Sequence, residues 1–204
     1  SFKPDASIFT VTEFSWTEIL NHLRQQAYLT KSVKVIINDN RSKEKERSYT
    51  FYFEGGIASY VQHINKNKNV KQHEIFYIEK EIDKNNIEIA LQYTEDFQES
   101  LFAFANNIPN PEGGMHINGF KTALTRVLNS FARKQGFLKE KDENLTGEDV
   151  REGLTAIISV KILDPQFEGQ TKAKLGNAEI KPIVEQVVSE YLTEFLEQHP
   201  KDAQ

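Results

Sequence analysis

Cysteine is absent from all 204 residues, which removes disulfide frameworks, thiolate zinc sites and cysteine nucleophiles together. No apolar run approaches the roughly 18 residues that a membrane-spanning helix needs. Nor does a basic start, an apolar stretch and a small-residue cleavage site mark a signal peptide. The expected location is therefore cytoplasmic, with no membrane partner. Phosphate cradles of the GxxxxGKS/T and GxGxxG types are missing, as are HExxH and GxSxG, so P-loop, dinucleotide-fold, zincin and nucleophile-elbow chemistry have no support. The five histidines (His22, His63, His73, His116 and His199) lie too far apart to suggest a ligand set. They are expected at the surface or at helix ends, and no metal site is expected.

What remains is an ordinary globular composition, 38% hydrophobic and 27% charged, enough for one good core. The net charge of −5 argues against a uniformly basic coat, although a local basic stripe fits within that total. The chain opens at Ser1 and its only methionine is Met115, which predicts a piece of a longer protein.

Periodicity supplies the elements. Ile19, Leu20, Leu23 and Ala27 recur at helical spacing over 18–29, and Ser15 with Glu18 forms a capping-box pattern. Alternation over 33–37 and the aromatic run 49–53 predict a β-hairpin with a solvated tip at 38–47. A short helix follows Gly55 and Gly56 at 57–64, then a loop at 65–71. Strands are expected at 75–78 and 87–93 around a turn at 83–86, and again at 101–105. Over 117–131, Ile117, Phe120, Leu124, Val127, Leu128 and Phe131 share one helical face while Arg126 and Arg133 take the other. A β-rich run at 154–163 ends at Asp164-Pro165. Apolar residues from Ile180 to Phe195 predict a last helix, with Pro182 either delaying its start or bending its first turn.

Two segments could carry chemistry. Met115 to Lys141 holds Lys121, Arg126, Arg133, Lys134, Lys139 and Lys141 against Glu140 alone; this is either a solvated helix face or a phosphate-backbone contact. The polar, glycine-flanked loop from Asp164 to Asn177 carries Lys172, which either faces solvent or reaches a γ-phosphate, as lysines do in phosphoryl transfer.

Along this loop and elsewhere the chain resembles the ATPase subunits of bacterial type IIA DNA topoisomerases, the DNA gyrase B family with its topoisomerase IV counterpart. The likeness is carried in order by Tyr52-Phe53-Glu54-Gly55-Gly56-Ile57, Asn106-Asn107-Ile108, and Glu112-Gly113-Gly114 with His116 and Gly119-Phe120. It continues through Gly147-Glu148-Asp149-Val150-Arg151-Glu152-Gly153-Leu154 and Gln170-Thr171-Lys172.

The resemblance implies an α+β transducer, a mixed sheet backed by helices with a left-handed β-α-β crossover of ribosomal-protein type. Residues 1–176 would form its core and 177–204 a long C-terminal helix. It implies that Lys172 contacts the γ-phosphate, that Gln170 positions the loop, and that Lys121 faces a DNA cavity, with Arg126 and Arg133 as further cavity candidates. ATP and Mg2+ would serve the parent isomerase, an ATP-hydrolysing topoisomerase, while this chain alone would be an inactive monomer that binds neither. The implied partners are an N-terminal GHKL ATPase domain, a C-terminal cleavage region, the gyrase A protein, a second copy of gyrase B, and DNA. A rival reading from the residues alone is an independent nucleic-acid-binding α+β module. The catalytic glutamate and the EGDSA and DxD motifs of the family are not in this chain, and Met115 stands where relatives commonly have threonine.

Overall fold

The computed structural model describes residues 2–41 and 46–203, and the chain divides into two compact units after Gly56. The sequence suggests a single division, before residue 177, but the last helix is an integral part of the second unit's core.

In the first unit, α1 (Trp16–Leu29) starts where expected, with the Ser15 hydroxyl accepting from the Glu18 backbone N–H at 3.3 Å. Antiparallel β1 (Val35–Asp39) and β2 (Arg47–Phe51) pair from Val35 opposite Phe51 to Asp39 opposite Arg47. Residues 42–45 of the expected hairpin tip lie outside the described residues. The Tyr28 ring stacks on Phe53 at 3.7 Å, and the Arg24 guanidinium lies 5.4 Å from the centre of the Phe51 ring. Large apolar side chains nevertheless stay exposed on this unit: Phe2, Ile8, Val11, Ile36 and Tyr49 among them.

The second unit opens with α2 (Gly56–Ile64) and builds a mixed sheet in the order β3 (Phe76–Ile82), β4 (Asn85–Tyr93), β7 (Leu154–Lys161), β5 (Ser100–Ala105), β6 (Ile108–Pro109). Two-residue turns close both hairpins, Asp83-Lys84 and Asn106-Asn107, with φ positive at all four residues as a type I′ turn requires. β5 and β7 run parallel, from Ser100 opposite Thr155 to Ala105 opposite Val160. They are joined through α3 (Met115–Lys134) and a 3-10 turn at Asp149–Arg151, which makes a β-α-β crossover.

Central β4 and β7 are buried on both faces. On one face, Ile87, Ile89 and Leu91 pair with Val160, Ile158 and Ala156 and pack beneath α3 and α4 (Ile180–Gln198). The other face buries Gln92 and Thr155. These are satisfied through Asn65 just past α2, whose Nδ2 donates to the Gln92 Oε1 at 3.0 Å and whose Oδ1 accepts from the Thr155 hydroxyl at 2.8 Å.

α3 and α4 lie side by side and parallel. Gly119 faces Lys181, Arg126 reaches Ser189 at 2.7 Å, and Lys134 reaches Glu197 at 2.6 Å. Gly119 permits the close approach, since a Cβ there would lie 2.5 Å from the Lys181 carbonyl oxygen. Parallel neighbours set like helix ends together, and the cation-to-acid links across the seam offset part of that cost. Pro182 sits at the third residue of α4, where a missing N–H interrupts no intrahelical bond, so the helix begins at Ile180 rather than late.

Candidate functional site

The segment between β7 and α4 is a small, stitched hairpin. At its base the Asn177 side chain accepts from the Gln166 N–H at 2.7 Å and donates to the Asp164 carbonyl at 3.0 Å. Further up, the Gly176 N–H donates to Gln166 and the Glu168 N–H to Lys174, and Phe167 bridges Leu175 in antiparallel fashion. A β-turn closes the tip, the Lys172 N–H donating to the Gly169 carbonyl at 3.3 Å with Gln170 and Thr171 between them. The tip is exposed while Ala173, Leu175 and Asn177 are buried, so the hairpin is anchored along one side only.

That anchor is the N-terminus of α3. Leu175 donates to the Gly113 carbonyl and accepts from Met115, and Glu112 donates to Ala173. Gly114, at φ 135, lies so close to the Leu175 backbone that a Cβ would collide with it. The capping bond that a side chain would supply at this helix start is thus replaced by the hairpin backbone.

Lys172 adopts φ 57, unusual for a lysine, and its Nζ stands 5.8 Å from the centre of the Phe167 ring. No carboxylate pairs with it among the described residues, whereas neighbouring Lys174 is paired with Glu168 at 3.1 Å. Gln170 is likewise exposed, with no side-chain hydrogen bond among the described residues. The tip therefore presents one uncommitted ammonium and one uncommitted amide, donors suited to an anionic oxygen.

The basic helix looks different in space than in sequence. Lys121 pairs with Glu99 at 3.2 Å, and Arg126 with Glu185 at 3.8 Å and Ser189. Arg133 spends its guanidinium on Asn144 Oδ1 and on the Lys139 and Asp142 carbonyls, pinning the loop after α3. Lys121, Arg126, Thr122, Asn129 and Asn144 line one shallow polar depression; Arg133 is not part of it, and none of the three is near the Lys172 tip in any described contact.

His116 occupies the first turn of α3, a helix end, but it is fully buried, with neither ring nitrogen hydrogen-bonded among the described residues. Burial pushes its pKa down to about 4. Sequence reasoning missed Asn110. This residue is buried on the approach to α3, and its Nδ2 donates to the Lys172 carbonyl at 2.8 Å.

No helix is long and apolar enough to cross a membrane among the described residues. Comparison with known proteins finds a family model described as DNA gyrase B matching residues 56–204. The chain is 50% identical over 201 residues to the DNA gyrase B protein of Clostridium acetobutylicum, covering 98% of this chain and 31% of that protein. It is 51% identical over 203 residues to the Halalkalibacterium halodurans protein of the same name, covering 99% and 32%. The chain thus spans about a third of the length of the curated relatives it matches. Among solved structures, the 43K ATPase domain of Thermus thermophilus gyrase B, in complex with an aminocoumarin, superposes with a TM-score of 0.85 at 36% identity. That match covers 99% of this chain and 54% of the other. The topoisomerase IV ATP-binding domain of Francisella tularensis gives 0.83 at 27% identity, over 98% and 53%. The stitched hairpin on a mixed sheet, the many residues shared with these relatives and the matching ATPase-region fold agree with one another: this chain belongs to the DNA gyrase B family and corresponds to part of its ATPase region.

Proposed function

We propose that the chain relays nucleotide state within an ATP-dependent type IIA topoisomerase. In this reading Lys172 and Gln170 meet the γ-phosphate of ATP held by the rest of the ATPase region. The observation that carries it is the uncommitted Lys172 ammonium on a hairpin bonded to the start of α3 and leading directly into α4. Lys172 would offset negative charge on the γ-phosphate, and the Gln170 amide would donate beside it. ATP supplies the phosphate. The described residues offer no cluster of three His, Asp or Glu side chains to hold Mg2+, so its ligands are assigned to the remainder of the parent protein. Loss of the γ-phosphate removes a contact that favours one arrangement of hairpin, α3 and α4, and so shifts the balance between two states of the gate.

We assign the relay to residues 57–203, and residues 2–56 to the nucleotide-binding part. The compact unit boundary coincides with the start of the family match. The first unit's two-stranded sheet is too small to stand alone, and its exposed Phe2, Ile8, Val11 and Ile36 suit a face covered by further chain. DNA, the gyrase A protein and a second copy of gyrase B are partners of the assembly in this reading. The Lys121 and Arg126 depression is its candidate for DNA contact, with Arg133 holding the adjoining loop. The pairing of Lys121 and Arg126 with Glu99 and Glu185 weighs against an independent DNA-binding module.

In the full-length protein, Lys172→Ala lowers the ATP hydrolysis rate by roughly 10²-fold or more, as expected for removing a preorganised transition-state donor, with the circular dichroism spectrum unchanged. Normal turnover by the folded variant refutes the assignment.

A further inference from the structure

The Lys172 backbone is held by a residue outside its own hairpin. Asn110 follows β6 and is held to the sheet by its backbone N–H, which donates to the Ala103 carbonyl of β5 at 2.8 Å. Its carbonyl accepts from the Gly113 N–H at 2.9 Å, so both backbone groups are fixed. The side chain is only 2% exposed. Its Nδ2 donates to the Lys172 carbonyl at 2.8 Å, while its Oδ1 has no partner among the described residues. Among the described residues the bond to Lys172 is thus the one hydrogen bond of this buried side-chain amide, and leaving its capacity unmet is costly.

The partner end of that bond is equally particular. Lys172 stands at φ 57, where a Cβ-bearing residue is disfavoured unless its surroundings hold it there. The Gly169 turn and the Asn110 amide grip its N–H and C=O respectively. Rotating the Lys172 peptide plane swings its Cα–Cβ bond and so carries Nζ away from its present bearing. A grip on the carbonyl therefore fixes the direction in which the ammonium leaves the tip.

We infer that Asn110 is a positioning residue: through the Lys172 carbonyl it locks the hairpin tip in the left-handed conformation that directs the Lys172 ammonium to its anionic target, and it ties that aim to strand β5. This rests on the reading of Lys172 as the γ-phosphate contact. Asn110 acts without touching nucleotide.

The test uses the full-length protein with Asn110→Ala and Asn110→Asp, the latter keeping the shape and losing the donor, each in the wild-type and Lys172→Ala backgrounds. ATP turnover falls about tenfold or more for both variants in the wild-type background, since small misplacement of a catalytic contact is costly. It changes less than about twofold in the Lys172→Ala background, the mark of two residues acting as one. Affinity for a non-hydrolysable ATP analogue falls while affinity for ADP does not. Equal losses in both backgrounds, equal losses for ADP and the analogue, or full turnover by both variants would overturn the inference. Hydrogen exchange of the Lys172 and Glu168 amides, which donate to Gly169 and Lys174, is faster in Asn110→Ala and reads the grip itself without nucleotide, and unchanged exchange overturns it. If Lys172→Ala alone turns over normally while exchange still rises, the γ-phosphate reading fails and the mechanical role of Asn110 stands.

Discussion

Gly119→Ala probes the packing of α3 against α4, on which the proposed relay would depend. The added Cβ would lie 2.5 Å from the Lys181 carbonyl oxygen, roughly 1 Å inside ordinary contact. The obstacle is backbone, so no side-chain rotation relieves it, and α3 and α4 must part. Overpacking of this kind costs up to about 3 kcal/mol, offset by about 1 kcal/mol from the better helix propensity of alanine. The net loss of about 2 kcal/mol corresponds to a Tm lower by roughly 4–8 °C for a chain of this size. Thermal unfolding followed by circular dichroism measures it, with exposed Thr122→Ala on the same helix as a control expected within about 0.5 kcal/mol of wild type. A Tm for Gly119→Ala equal to or above that of wild type refutes the close seam.

His116 makes stability depend on pH. With its folded pKa pushed down to about 4, the unfolded chain binds the extra proton first, so stability is complete above about pH 6.5 and declines as pH falls towards 4, by up to about 3 kcal/mol. His116→Gln flattens this part of the pH profile in denaturant titrations, and an unchanged slope assigns it elsewhere. Arg133→Ala releases the loop tied through Asn144, Lys139 and Asp142, at a cost of about 1 kcal/mol. Limited proteolysis then cuts faster between residues 136 and 144, while an unchanged pattern shows that the guanidinium does not hold the loop.

Local signals were legible and relations between distant segments were not. The Ser15 and Glu18 spacing marked the start of α1, and the period of α3 marked its buried face and its Arg126 side, because caps and amphipathicity are written in neighbouring residues. The Asp83-Lys84 turn was placed only broadly, at 83–86, since lysine gives no hint of a positive φ. The two-residue β6 and the 3-10 turn are too short to show a period. The local charge balance of the basic helix did not show its ion pairs, because the acids come from afar: Glu99 before β5, Glu185 and Glu197 on α4. Asn110 carried no signal, as its role is a bond to a residue 62 positions away.

The parallel α3 and α4 have a mechanical consequence. In contact at Gly119, Arg126 and Lys134 in nearly constant register, they resist creeping along one another, because a slip of one residue, about 1.5 Å, disturbs all three contacts at once. In the proposed relay they would tilt as a single beam. With the 20 residues of α3 spanning about 30 Å, a tilt of about 5° at the hairpin end displaces the far end by about 2.5 Å. In the proposed relay, a contact made or lost at the Lys172 ammonium would thereby be geared up into a movement the size of an atom.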